Sequence, residues 1–536
     1  MKFKTLSLIG LFIPSFLNGQ TLTETIRKTD NEQFVEAADA FNKLILTEPN
    51  NACFYFYAGE NYFQKGVPDS ALIFWNKTMT VDPESPFSLI GVGKSLCIKG
   101  DIAGAKTKFA LAESMTKKGK YKKNKAEVLK CIAKAWISFE NKDLDEALRL
   151  LNLAIKASPN DIDCHLLKGD ALYLKTPENS SNAIKSYNLV LTINQKSSRG
   201  IVRKAKIYQL AKNYKAADSL YNIAKNIDST YAPAYRENAE LNMAFGQSKK
   251  AIENWKKYLV LNNSFDSRYR YAVALFKGKQ YCDAIQELLS IKPIFTDYYI
   301  DRMLTYSYFE CDKIPDGIEK GLASSELFFS KCPAENVEFY DYKYRGKLYL
   351  KGGQDSLAIL DFEKVSSMDK ESELELTGEI AKLYLKLKKY GNAIQKYETK
   401  LQQGDLNAAE YFDLGRAYYL EGKNYVAADS AFSMVIMRSP NYASAFIYKA
   451  RVQNKKVSSE ENSTAVAMHY KAALERISTE ERRGKSNKIT LEAAKFLGAY
   501  YRDSKEKDPV KAKDYWVIVN ELDPEDKQAK AFLGIK

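Results

Sequence analysis

An alanine returns along this chain at a fixed interval, and that recurrence restricts the fold more than any other feature. Ala71 and Ala105 are 34 residues apart, as are Ala217 and Ala251. Around each, a small residue lies twelve positions earlier and an aromatic residue or leucine four positions later. The sets are Gly59, Ala71 and Trp75; Gly93, Ala105 and Phe109; Ala135, Ala147 and Leu151; Ala205, Ala217 and Tyr221; Ala239, Ala251 and Trp255. They continue through Ala272, Ala284 and Leu288, then Gly346, Ala358 and Phe362, then Ala381, Ala393 and Tyr397. A period of this length is that of a stacked supersecondary unit. Residues at i, i+3, i+4 and i+7 share a helix face, so each unit reads as two antiparallel helices joined by a turn. The small residues let the two backbones approach, and the aromatic one turn later fills the space to the next pair. Pro83, Pro159, Pro440 and Pro524 close units because proline cannot continue a helix. One pair alone leaves a face exposed, so stacking is what buries the core.

The stretch YAGENYFQKGVPDSALIFWNKTMTVDP, residues 57–83, resembles the tetratricopeptide repeat (TPR) family through Gly59, Tyr62, Ala71, Trp75 and Pro83. The resemblance runs over nearly the whole chain, in about thirteen units. It implies an all-α fold, a right-handed superhelical solenoid of antiparallel helix pairs, acting as a scaffold for protein segments. Departures from the pattern suggest the organisation. Residues 1–19 form a leader, 20–119 a first block, and 120–310 a central block after the basic linker MTKKGKYKKNK. Residues 311–338, with Gly317 and Gly321 where alanine and an aromatic belong, read as a degenerate unit or hinge. Residues 339–536 complete the array, with an insertion from Val457 and a polar capping helix at the end.

The leader carries Lys2 and Lys4, an apolar run from Leu6 to Leu17 broken by Pro14, then Asn18 and Gly19. That is the layout of a secretory signal peptide cleaved near Gly19, and it is shorter than a membrane span. An exported chain, periplasmic or associated with the outer membrane of a bacterial envelope, is expected, with no transmembrane segment after cleavage. The formal net charge of +14 favours anionic partners, and export argues against nucleic acid. The cysteines at 53, 97, 131, 164, 282, 311 and 332 form no tight framework and read as small buried hydrophobes. If any pair is bridged, Cys311 and Cys332 are the candidates.

Catalytic constellations are sparse. SLIGVGKS, residues 88–95, approaches a phosphate loop, but Gly93 is the small crossing residue of a first helix, whereas a phosphate loop follows a strand. NDIDCH groups Asp161, Asp163, Cys164 and His165 at a unit boundary, where aspartates cap helix starts more readily than they close a metal shell. His469 is the only other histidine. Neither H-E-x-x-H nor G-x-S-x-G occurs. The expectation is no enzyme, no metal and no cofactor. Asp69, Asp218, Asp355 and Asp429 each precede Ser-Ala or Ser-Leu; this resembles a short O-glycosylation sequon, and helix capping explains the same residues.

In the family, positions 2, 5, 9 and 12 of each first helix line the concave face, and their spacing makes one helical stripe. Carried onto this chain they give Tyr299, Arg302, Tyr306 and Phe309; Tyr340, Lys343, Lys347 and Leu350; Ala409, Phe412, Arg416 and Tyr419. Earlier units give Arg199, Val202 and Lys206, then Arg236, Glu240 and Met243. Such an aromatic and basic lining suits a protein segment with acidic and apolar residues. Two other readings stand beside groove binding. One is a structural subunit of an envelope secretion or outer-membrane assembly or uptake machine, and the other a binder of anionic glycans. Lys117 to Lys125 read as a solvated basic loop, with peripheral contact to an anionic surface as the alternative.

Overall fold

A computed structural model describes residues 21–294, 297–456 and 460–535, so the leader and Val457 to Ser459 lie outside the described residues. Every described element is helical, and no strand occurs among them. Consecutive helices pair, as Ala52–Gln64 does with Pro68–Val81 and Pro86–Ile98 with Ile102–Met115. The repeating alanines are the crossing points. Ala71, Ala105, Ala147, Ala217, Ala251, Ala284, Ala358 and Ala393 are all fully buried. The partner small residue is tight for the same reason. A Cβ placed on Gly346 would stand 2.6 Å from the Phe362 ring, and Gly59 and Gly93 are packed as closely on Trp75 and Phe109.

Units that the twelve-residue rule passes over use the same joint. Gly169 lies against Tyr187, Gly415 against Phe432 and Gly498 against Trp516. In these the connecting turn is longer, as in the 3-10 turn Pro177–Asn179, so the alanines Ala183, Ala428 and Ala512 fall out of register. Pro83, Pro159, Pro440 and Pro524 sit in turns between units. The polar C-terminal stretch forms the short helix Lys527–Leu533, capped by Asp526, with Phe532 against Trp516.

Where the first helix of a unit turns into the second, one residue adopts the left-handed backbone that glycine favours. Gly66, Gly100, Gly246 and Gly353 hold it, each five positions before the unit alanine. Glu32, Lys212, Lys279 and Lys388 hold it in other units, at φ of about 60°.

The chain separates into two compact units, residues up to 296 and from 297 onward. Residues 311–338, read as a degenerate unit or hinge, contain the helix Gly317–Lys331 packed on Tyr298–Glu310, and the division between the two compact units falls before this pair. Gly321 replaces an aromatic there because a Cβ would already meet Leu348 and Tyr308 at 3.0–3.1 Å. The basic linker closes into the 3-10 turn Lys122–Asn124, and its lysines from Lys117 to Lys123 are exposed. The suggested Cys311–Cys332 bridge is not formed. Cys332 is a buried free thiol with Sγ 3.4 Å from the Pro333 carbonyl, while Cys311 is held in a different disulfide. Among the described residues no helix is long and apolar enough to cross a membrane.

Candidate functional site

The concave face of the N-terminal unit is built from first helices. Leu22–Asp30, Ala52–Gln64, Lys125–Ser138, Ile162–Lys175 and Ser198–Leu210, together with Phe87, Asp228 and Tyr231, line a cavity of about 750 Å³. Its walls carry both signs of charge, with Lys130, Lys134, Arg199 and Arg203 among Glu60, Glu127 and Asp163. Lys130 reaches Glu127 at 2.7 Å, Asp161 at 3.3 Å and Asp163 at 3.6 Å. Burial disfavours its charge, yet these three carboxylates raise its pKa above the lysine range. Asp163 is correspondingly lowered despite burial, by Arg199 and Lys130. Cys53 and Cys131 open onto the same space, and burial pushes the Cys53 thiol up to about 12.

This face is closed by the end of the helix Leu22–Asp30 and the turn after it. Arg199 Nη2 lies 3.2 Å from Asp30, and Arg236 holds Glu32 through Nε at 3.2 Å and Nη2 at 3.0 Å. The Tyr258 hydroxyl donates to Glu32 at 2.7 Å, and Arg27 reaches Asp228 at 3.4 Å. These contacts span about two hundred residues of sequence. The stripe positions Arg199 and Arg236 were legible from the repeat register, whereas their acidic partners were not.

Deeper in the unit, Lys94 and Glu60 form a buried ion pair, with the ammonium over the Trp75 ring at 4.6 Å and the Phe63 ring at 4.9 Å. Burial pulls the lysine pKa down, while Lys94 and Lys134 hold Glu60 below the usual carboxylate range against its own burial. Lys94 is therefore a core cation in mid-helix, and SLIGVGKS is no phosphate loop. Asp161 caps its helix by accepting from the Asp163 and Cys164 amides, and His165 Nε2 lies 2.8 Å from the Pro159 carbonyl. Among the described residues no cluster of three or more His, Cys, Asp or Glu side chains could hold a metal. None of the four aspartates expected as caps is an N-cap: Asp69 and Asp355 lie in the first turns of their helices, and Asp218 and Asp429 lie further within theirs, where Asn238 donates to Asp218 at 2.8 Å and Lys449 pairs with Asp429 at 3.1 Å.

In the C-terminal unit the predicted stripe is largely knitted into the repeat packing. Arg302 is 9% exposed and donates to Asp341 at 2.9 Å and to the Asn336 carbonyl at 2.6 Å. Tyr306 donates to the same carboxylate at 2.5 Å and stacks on Tyr344 with ring centroids 4.3 Å apart. Phe309 meets the edge of Tyr344 and lies beneath Lys347 and Lys351. Lys343 pairs with Glu375, Arg416 with Asp413, and Phe412 and Tyr419 pack on Tyr448. Tyr299 and Tyr340 differ: they are 41% and 49% exposed. Arg302 and Tyr306, read in the sequence as partner anchors, instead tie their own helix to the first helix of the next repeat through Asp341.

No family model matches the chain. A TPR repeat-containing protein of Methanocaldococcus jannaschii is 25% identical over 327 residues. This chain has the tetratricopeptide repeat fold. The alignment covers 54% of this TPR chain and 56% of the archaeal one, so it spans little more than half the length of that relative. Among solved structures, the C-terminal part of a TPR repeat-containing protein from Cytophaga hutchinsonii is 27% identical, covering 49% of this chain and 99% of its own, with a TM-score of 0.40. A chain of the APC/C hetero-tetramer Cut9–Hcn1 is 15% identical, covering 88% and 96%, with a TM-score of 0.30.

Proposed function

We propose that this TPR protein is an exported, non-catalytic scaffold of the bacterial cell envelope that holds protein segments with acidic and apolar residues on its concave faces. The observation that carries the reading is the exposure of Tyr299 and Tyr340 at corresponding positions of neighbouring first helices. Exposed aromatics of this kind, with the half-buried Lys347 on the same stripe, offer large contact area at low entropic cost. The leader composition supports export. Beneath the two tyrosines, Arg302 lies against the Tyr299 ring, its guanidinium 5.6 Å from the centroid, and Tyr340 packs on Phe339.

The test is a crosslinked pull-down of the tagged full chain from its own envelope fraction, beside Tyr299→Ala/Tyr340→Ala with an unchanged melt. A protein caught by the parent and lost by the double variant supports the reading. The same proteins retained by both would move binding to another surface and favour an assembly subunit. Recovery of the chain only outside the envelope fraction, with residues 1–19 still present, would sink the export part.

A further inference from the structure

The corner Asp30-Asn31-Glu32 joins the helices Leu22–Asp30 and Phe34–Thr47, and its acids are used far from home. Asp30 meets Arg199 and Glu32 meets Arg236, both on first helices whose register faces the concave side, and Glu32 also accepts from Tyr258 on the second helix Ser248–Leu261. Glu32 also occupies the left-handed turn position that four other units give to glycine. The three lysines at that position point into solvent, whereas Glu32 is half-buried. A side chain is thus kept where the backbone disfavours one, and what it does there is fill a cationic socket.

We propose that the corner is an intramolecular stand-in for an acidic partner segment, and that Arg199, Arg236 and the Tyr258 hydroxyl form the socket such a segment takes over. The proposal rests on the protein-segment reading above and adds the ligand chemistry of the N-terminal unit, two carboxylates at i and i+2. The exchange is selective for physical reasons. When the corner leaves, Arg236 keeps Glu237 at 2.9 Å and Glu240 at 3.5 Å but loses its bidentate acceptor, and Tyr258 loses the acceptor of its proton. Arg199 keeps only Asp163 among its present partners. An acidic segment restores these bonds, while an uncharged one leaves partly desolvated donors short of acceptors, which is costly. Release of the corner also uncovers the cavity behind it, where Cys53 and Cys131 lie.

The probe is a labelled peptide of residues 27–36, RKTDNEQFVE, with a control in which its Asp and first Glu become Asn and Gln. It is titrated against the full chain and against Asp30→Asn/Glu32→Gln, whose first repeat keeps its apolar packing. The expected result is binding to the variant roughly tenfold tighter than to the parent, with the control peptide weaker by a similar factor, as a removed internal competitor requires. Adding Arg236→Gln should abolish the gain. Alkylation of Cys53 and Cys131 should be faster in the variant. Equal binding by parent and variant, or no preference between peptides, would overturn the proposal and leave the corner a ring-closing contact only. Should the double variant melt early, Asp30→Asn alone must shift affinity in the same direction or the proposal fails. Purified chain and peptide suffice, so this outcome is separable from the envelope pull-down.

Discussion

Glu32 and Arg236 are 204 residues apart in sequence, yet the carboxylate lies against two nitrogens of the guanidinium, at 3.0 and 3.2 Å. The pair ties the turn after Leu22–Asp30 to the helix Ala232–Ala244, with Tyr258 on the following helix as a second donor.

The position of Glu32 makes two opposing terms measurable. Replacing an exposed left-handed lysine by glycine, as in Lys388→Gly, removes backbone strain and should stabilise the chain by about 1 kcal/mol. Glu32→Gly removes the same strain but also the Arg236 and Tyr258 bonds, which contribute about 1.5–3 kcal/mol for a charged acceptor. The expected outcome in urea melts is a higher midpoint for Lys388→Gly and a lower one for Glu32→Gly. Equal gains in both would show that the long-range contacts add nothing.

The repeat itself was legible because its joint is local. Gly59, Ala71 and Trp75 lie within one pair of helices, so spacing alone reports their contact. The stripe was legible only as a register. That Arg199 and Arg236 face inward follows from helix periodicity, but no periodicity says that Asp30 and Glu32 meet them, since superhelical closure depends on small angles accumulated over many units. Arg302 shows the same limit at shorter range. Its position predicted an inward cation, and Asp341, two helices further on in the first helix of the next unit, consumes it. Neutralisation by a neighbouring repeat leaves no signature in either helix taken alone.

Glu60 and Lys94 should respond unequally to substitution. Glu60→Gln leaves an ammonium buried among Trp75, Phe63 and Phe139 without a counter-ion, at a cost of about 3–5 kcal/mol. Lys94→Met should cost less, because Lys134 remains 3.6 Å from Glu60. The double variant Glu60→Gln/Lys94→Met should recover most of the loss, as replacement of a buried ion pair by apolar packing often does. Chemical melts of the three variants check this. Additive losses in the double variant would refute the pairing.

The C-terminal unit should separate platform from surface. Arg302→Ala strands the buried Asp341 carboxylate, which still accepts from Tyr306 and the Glu338 amide, and should cost about 3–5 kcal/mol. Tyr299→Ala touches an exposed ring and should stay within about 0.5 kcal/mol of the parent. Thermal melts decide the matter, and a Tyr299 loss as large as that of Arg302 would place that ring in the core.

Acid should weaken the N-terminal unit through identifiable groups. Glu60 is buried, which alone would raise its pKa, but Lys94 and Lys134 hold it below its ordinary value of 4.5; Asp163 is lowered below 3.8 by Arg199 and Lys130 in the same way. A carboxylate with a depressed folded pKa stabilises fully above its unfolded pKa, and that stability is lost as pH falls through the folded value. Stability of the unit should therefore be flat from neutral pH down to about 5 and then fall, each such group adding up to about 1.4 kcal/mol per pH unit. In Glu60→Gln/Lys94→Met the slope below pH 4.5 should be smaller by the share of one proton. Urea midpoints between pH 3 and 7 give the slope directly, and an unchanged slope in the double variant would mean that Glu60 is not ionised in the folded chain.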